Sequence, residues 1–369
     1  MPRILSLAEL RRFAIARSLG APTTLGRVLR RLGFVQADPI RAPARAQDLI
    51  LRHRVVDYRA GQLEVRYDRL PIDEDYFINY GFLPQALTAL MHPRSARRDW
   101  TRAEARRAAA VLEFVRDRGT VHPADVDAHF AHGRALNWFG GQSRVSTQLL
   151  DAMHYRGMLR VVRRSAGTRV YRVRDPVPHG VDLPDALDRL VDVLLAVYAP
   201  ITASTLGQLT TRLLWLGAPQ WRGHRRATVT RALARVAHHT IDGTRWVWPA
   251  DEVAHSARHV VGDQVRFLAP FDPIVWERER FERFWGWPYR FEAYTPAARR
   301  VRGYYALPLL WREEVIGWAN LRVVAGRLEA AIGYVSGAPP RDAAFRRALE
   351  EEQSEMARFL ELPSADHPG

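Results

Sequence analysis

Two residue types are missing from the 369 residues: there is no cysteine and no lysine. Without cysteine the chain has no disulfide, no thiolate nucleophile and no zinc site built on sulfur. Without lysine it has no P-loop ammonium, no kinase-type lysine and no side-chain amine for a Schiff base or pyridoxal linkage. The loophole is Pro2, a secondary amine if Met1 is removed. Long apolar runs are absent as well, none approaching the roughly 20 residues of a membrane helix. No Gly-rich phosphate loop, nucleophile elbow or HExxH pair occurs. The 13 histidines are scattered, and His129/His132 and His255/His259 have only helix-face spacing, so neither a metal nor another cofactor is expected. Catalysis is left to carboxylates, amides, hydroxyls and histidines.

What is present is arginine. All 55 basic residues are arginine against 40 acids, a net charge of +15 and a pI near 10.8. A GC-rich genome explains arginine over lysine but not the surplus of bases over acids. That surplus points to a polyanion, with double-stranded DNA the expected partner. It is segmental: residues 1–60 and 121–240 each carry a net +8, while 241–300 balance at zero. The Arg-rich first 20 residues superficially resemble a presequence. Leu5, Leu7, Leu10, Phe13 and Ile15 instead mark an amphipathic helix starting at Ser6, and a cytoplasmic monomer with no membrane association is expected.

The middle of the chain repeats. Helical spacing over 104–118, a short helix PADVDAHF, a helix over SRVSTQLLDAMHYRG and two alternating strands around Ser-Ala-Gly-Thr give the order of a winged helix. The order returns in LDRLVDVLLAVYA, ITASTLGQLTTRL, RATVTRALARVAHH and a hairpin around Asp242-Gly243, and residues 6–60 read as a divergent third copy. Helix-turn-helix units offer exposed basic residues to phosphates. Arg41, Arg45, Arg144, Arg163, Arg164, Arg225, Arg226 and Arg231 are the candidates, each singly also explicable as a solvated charge. From about 263 the chain is dense in aromatics broken by Pro and Gly, which reads as a compact β unit with the aromatics as core rather than base-stacking platform. The expected fold is mainly α with β: tandem winged-helix units plus a C-terminal small β-barrel-like domain. The expected segments are 1–100, 101–178, 179–252, 258–338 and a helix and tail at 339–369.

The chemistry candidates sit in LGFVQADPIRAPARAQDL. Gln36 and Asp38 lie two residues apart, so on extended backbone both side chains point into the same space. An amide and a carboxylate held together can orient and deprotonate a water or stabilise a cationic sugar. The competing reading makes Asp38 an N-cap with Pro39 at the first helical position, a helix N-terminus that would also favour the ionised carboxylate. Asp272, in APFDPIVW, either turns the chain as an Asp-Pro residue or faces the site.

These pieces together resemble the bacterial winged-helix DNA glycosylases, the AlkZ/YcaQ group. The resemblance is carried by LSLAELRR at 5–12, GFVQADPIRAPARAQDL at 33–49 and APFDPIVWERERFERFWGWPYRFEAYTPAARRVRGYYALPLL at 269–310. It implies excision of alkylated bases, with possible substrates extending to interstrand crosslinks, and it places the catalytic roles of the family's Gln-apolar-Asp signature on Gln36 and Asp38. Where many members have His-Glu before Leu-Pro, this chain has Asn79 and Tyr80 in DYFINYGFLP, a departure that bears on the lesion pocket and on activity itself. A non-enzymatic winged-helix DNA-binding protein is the alternative from another class.

Overall fold

In the computed structural model the first helix, Leu7–Ser18, starts on a capping box: the Ser6 side chain accepts from the Glu9 amide, and the Glu9 carboxylate accepts from the Ser6 amide. Its apolar face, Leu10, Phe13 and Ile15, is buried in one cluster with Trp246, Ile274, Phe281 and Phe284. The structure describes residues 5–96, 98–136, 142–176 and 181–363, so Pro2 lies outside the described residues. The chain forms two compact units, one of Met1–Leu63, Val191–Gly207 and Thr230–Gly369, the other of Glu64–Leu190 and Gln208–Val229. No helix among the described residues is long and apolar enough to cross a membrane.

In the first unit the helix Leu25–Leu32 ends on Gly33, whose φ of 68° closes it as a left-handed cap. The helix expected directly after Asp38 does not form there. Residues 39–45 are non-helical and the helix runs Ala46–Leu51, with Arg45 at its N-cap. Pro39 and Pro43 bias the residues before them toward extended backbone, and Pro43 lacks the amide a continuing helix needs. The strands Ala237–Ile241 and Thr244–Trp248 form a hairpin over Asp242-Gly243, both at positive φ, and Ile201–Thr202 pairs on its other side.

The aromatic-rich stretch is only partly β. Pro273–Trp276 and Arg278–Trp285 are helical, because Asp272 caps the Ile274 amide, Glu277 caps the amides of Glu279 and Arg280, and Phe281, Phe284 and Trp285 fall at helical spacing. The strands Val265–Phe267, Leu307–Trp311, Glu314–Val324 and Arg327–Tyr334 follow in an antiparallel sheet in chain order. Where a small β-barrel-like unit is expected, these four strands form a meander whose first and last strands both touch the C-terminal helix Ala343–Phe359. Phe345 of that helix packs edge-on against Trp311 and Tyr334.

One buried ion pair ties these pieces together. The Arg54 guanidinium is fully buried and uses all five of its N–H groups. It forks onto Asp272 at 2.8 and 2.9 Å, reaches the carbonyl and hydroxyl of Ser18 at 3.0 and 2.8 Å, and donates to the Ile50 carbonyl at 2.7 Å. Asp272, equally buried, also accepts from the Ile274 amide at 3.1 Å. The end of the first helix, the end of the Ala46–Leu51 helix and the turn at 269–274 are thereby pinned to one another.

The second unit holds the helices Arg102–Arg118, Pro123–Phe130 and Val145–Arg156, then the hairpin Leu159–Ser165 and Thr168–Val173. Val111, Val126, Leu150, Met153, Val161 and Tyr171 form its core. A second hairpin, Ile72–Tyr76 with Tyr80–Pro84, carries three consecutive buried acids. Asp73 pairs with Arg160 and Arg174, Glu74 with Arg164 and Arg169, and Asp75 with Arg94, Arg174 and His92. Alternation along the strand sends Asp73 and Asp75 to one face and Glu74 to the other, each to its own arginines.

Replacing Asp272 by alanine leaves the Arg54 charge buried without a counter-ion. Removal of one partner of such a pair destabilises by about 3–5 kcal/mol. Thermal unfolding of Asp272→Ala is expected to shift down by roughly 10 °C, and an unchanged melting temperature would remove the pair from its structural role.

Candidate active site

Val35–Gln36 is extended, and Asp38 follows two residues later in a segment without regular structure. The Asp38 carboxylate is half-buried, and its Oδ1 accepts from the Ile40 amide at 2.9 Å, a tight turn that takes the place of the expected helix cap. The Asp38 amide donates to Gln47 Oε1 at 3.4 Å, which ties the loop to the start of the helix Ala46–Leu51. Burial raises the Asp38 pKa above the ordinary aspartate value, and the Ile40 hydrogen bond offsets this only in part. The ionised form is therefore less favoured than a helix N-terminus would make it, and the carboxylate is a stronger base than one in water.

Gln36 is 8% exposed, and its Oε1 accepts from the Trp276 indole at 3.0 Å. This fixes the plane of the amide and turns its NH2 end away from the indole. Trp276 is fixed by the helix that Asp272 caps, so the Arg54–Asp272 pair reaches Gln36 through one side chain. From Phe271 a row of rings continues: Phe271 to Phe291 at 5.0 Å, and Phe291 to Tyr305 at 5.3 Å and to Tyr294 at 6.0 Å. Tyr305 is buried. Burial pushes its phenol well up, and the nearby Asp38 carboxylate pushes it further in the same direction. Gln36, Asp38, Gln47, Trp276 and Tyr305 thus gather in the first unit.

The loop bearing these rings has a cationic outer face. Glu292 turns inward and accepts from the amides of Val301, Arg302 and Gly303 at 3.0, 2.8 and 3.2 Å. Arg290 and Arg299 are exposed, as are Tyr294 at 82% and Val301 at 75%. The charge arithmetic hid this patch, because 241–300 sum to zero while the acid of this loop faces its own backbone.

The other expected residues each have their own surroundings. Asp272 does not line an opening; it is fully buried on Arg54 and turns the chain. Asn79 and Tyr80 belong to the second unit, where Asn79 Oδ1 accepts from Arg212 at 2.5 Å and the Tyr80 ring lies 4.3 Å beneath the Arg169 guanidinium. Arg164 forks onto the buried Glu74, Arg144 pairs with Asp127, and Arg225 donates to the Thr211 hydroxyl at 2.5 Å. Arg41, Arg163 and Arg226 are exposed with no ion-pair partner among the described residues, while Arg45 and Arg231 are half-buried. Among the described residues no group of three or more His, Asp or Glu is placed to hold a metal.

Trp276 and Tyr305 escaped the sequence reading, since nothing local marks an indole 240 residues from Gln36 as its partner. Gln47 lay inside the quoted segment, eleven residues after Gln36, and only the loop geometry brings it to Asp38.

The fold has a known counterpart. The solved structure of the Streptomyces sahachiroi DNA glycosylase AlkZ superposes with a TM-score of 0.63 over 97% of this chain and 97% of that one, at 14% identity, which establishes a shared fold. The family model described as DNA glycosylase AlkZ-like matches residues 29–359. A match over nearly the whole chain is decisive: the chain belongs to the AlkZ-like DNA glycosylase family.

Proposed function

We propose that the protein hydrolyses the N-glycosidic bond of cationic, N7-alkylguanine-type bases in double-stranded DNA and stops at the abasic site. The observation that carries this reading is the half-buried Asp38 carboxylate, raised in pKa and two residues along the chain from a Gln36 amide fixed by Trp276. Alkylation at N7 gives guanine a formal positive charge, so the bond to the sugar is already weakened and no strong acid is required. As the bond breaks, its electron pair neutralises the departing base and an oxocarbenium-like sugar forms. Asp38 stabilises that cation and takes a proton from the attacking water, whose oxygen bonds to the sugar carbon, while Gln36 orients the water. The same step at an N7-linked interstrand crosslink would release one strand. With no lysine in the chain, strand cleavage through a lysine Schiff base is excluded, and borohydride is expected to trap no covalent complex with abasic DNA.

The order of three helices then a hairpin over 102–173, repeated over 183–248, supports reading these segments as winged helices that grip the duplex. In this reading the phosphate contacts fall to exposed arginines without ion-pair partners among the described residues, Arg41, Arg163 and Arg226, joined by Arg290 and Arg299 beside the site. Arg164 serves the internal pair with Glu74 instead.

Asparagine at position 38 retains an acceptor for the Ile40 amide but cannot take a proton. Asp38→Asn is expected to lower excision of N7-methylguanine about 10²–10⁴-fold with an unchanged melting temperature; release of free base at the wild-type rate would sink the assignment. In the wild type, activity is lost as pH falls through the Asp38 pKa, with a midpoint above the ordinary value of about 3.9. A profile still flat at that value would argue against Asp38 as the base.

Salt titration separates the arginines. Each of Arg163→Ala and Arg226→Ala is expected to reduce the slope of log Kd against log salt by about one. Arg164→Ala should leave the slope unchanged and lower the melting temperature. The reverse pattern would reassign the DNA-facing surface.

A further inference from the structure

One buried polar group beside the carboxylate has no role in the steps above. Tyr305 is 2% exposed, yet its hydroxyl has no hydrogen-bond partner among the described residues. Comparable tyrosines of the first unit are paired: Tyr58 donates to Asp48 at 2.8 Å and Tyr289 to the Ala306 carbonyl at 2.6 Å. A buried hydroxyl left unpaired destabilises a fold. Phenylalanine would fill the same space against Phe291 without that penalty, so packing alone does not account for the oxygen.

Its surroundings do. The row Phe271, Phe291, Tyr305 brings the ring up from the Asp272 turn, the same turn from which Trp276 reaches Gln36. Glu292 and Asn320 hold the preceding loop, Glu292 through three amides and Asn320 by donating to the Arg302 carbonyl at 2.7 Å. The ring is therefore seated on both sides. The titratable groups that act on the phenol are Asp38 first, then Tyr289, Tyr294 and Tyr304, so Asp38 is the one carboxylate among them. Among the described residues Asp38 in turn has its Oδ1 engaged, by the Ile40 amide, and no hydrogen-bond partner on Oδ2.

We propose that Tyr305 is a positioning residue for the hydrolytic water: the Asp38 carboxylate accepts one hydrogen of that water and the Tyr305 oxygen accepts the other. A lone pair of the water oxygen is then left facing the sugar carbon. Asp38 alone would hold the water at one point and leave it free to rotate; a second acceptor across the site fixes its orientation, and a misplacement of about 1 Å in such a geometry is worth about a hundredfold in rate. This inference rests on Asp38 being the base.

Tyr305→Phe removes one oxygen and keeps the ring. On a duplex carrying N7-methylguanine, the single-turnover excision rate is expected to fall about tenfold to a hundredfold. Kd for that duplex should stay unchanged and the melting temperature unchanged or raised. The acid limb of the rate profile should move to higher pH, because a polar neighbour of the carboxylate has been replaced by hydrocarbon. Tyr289→Phe, which loses a paired hydroxyl, should lower the melting temperature and leave the acid limb in place. Wild-type rate and acid limb in Tyr305→Phe would overturn the inference. If Asp38→Asn is inactive in the same series, only the role of Tyr305 falls; if Asp38→Asn is active too, the hydrolytic reading itself falls.

Discussion

The first unit depends on a guanidinium and a carboxylate enclosed together. Arg54 and Asp272 come from segments more than two hundred residues apart, and each would be an uncompensated charge in the core without the other. Their value lies in geometry rather than in raw attraction. The fork on Asp272 sets the position of the helix Pro273–Trp276, and the remaining donors hold the ends of two N-terminal helices in the same frame. Trp276 then fixes Gln36, and the chain between Gln36 and Ala46 has only to cross a short gap between two fixed points. A loop that carries the candidate base is thus held at both ends by a rigid scaffold, as a preorganised site requires.

Much of the helical structure was legible because its signals are local. The Ser6/Glu9 and Thr101/Glu104 capping boxes, the apolar spacing over Arg102–Arg118 and Val145–Arg156, and the Ala166-Gly167 turn each act within a few residues. The segment after Asp38 was misread because Asp-Pro is a strong start signal, and the local rule omits Pro43 four residues later. The aromatic-rich stretch was misread for the opposite reason: its composition suggests strands, while Asp272 and Glu277 supply two helix starts that a compositional reading passes over. Of the candidate site, Gln36 and Asp38 were visible as an alternating pair. Trp276 and Tyr305 were not, since their place is fixed by tertiary contacts with no periodic trace in sequence.

Arginine does two kinds of work here, and the net charge conceals the division. Arg54, Arg94 and Arg280 lie in the interior, where a guanidinium satisfies several carbonyls at once and keeps its charge; Arg280, held by the carbonyls of Tyr198, Pro273 and Ile274, is lowered by burial only to about 10. An ammonium has neither the fork geometry nor that margin. The segmental excess of charge is therefore a poor map of the surface. Arg164 lies in a strongly basic segment and turns inward, whereas Arg290 and Arg299 lie in a neutral one and face out.

The strand Ile72–Tyr76 has a consequence for how the second unit assembles. Asp73, Glu74 and Asp75 can enter the core only after arginines from three other places in the chain have arrived, Arg94, Arg160 with Arg164, and Arg169 with Arg174. An apolar strand gains from any partial burial; the three acids of this one gain only with their partners in position. A slip of one residue would turn Glu74 toward the arginines of Asp73 and Asp75 and strand the other two acids on the opposite face. The three carboxylates therefore select the register of this hairpin, since a misaligned pairing leaves charge buried without its counter-ion.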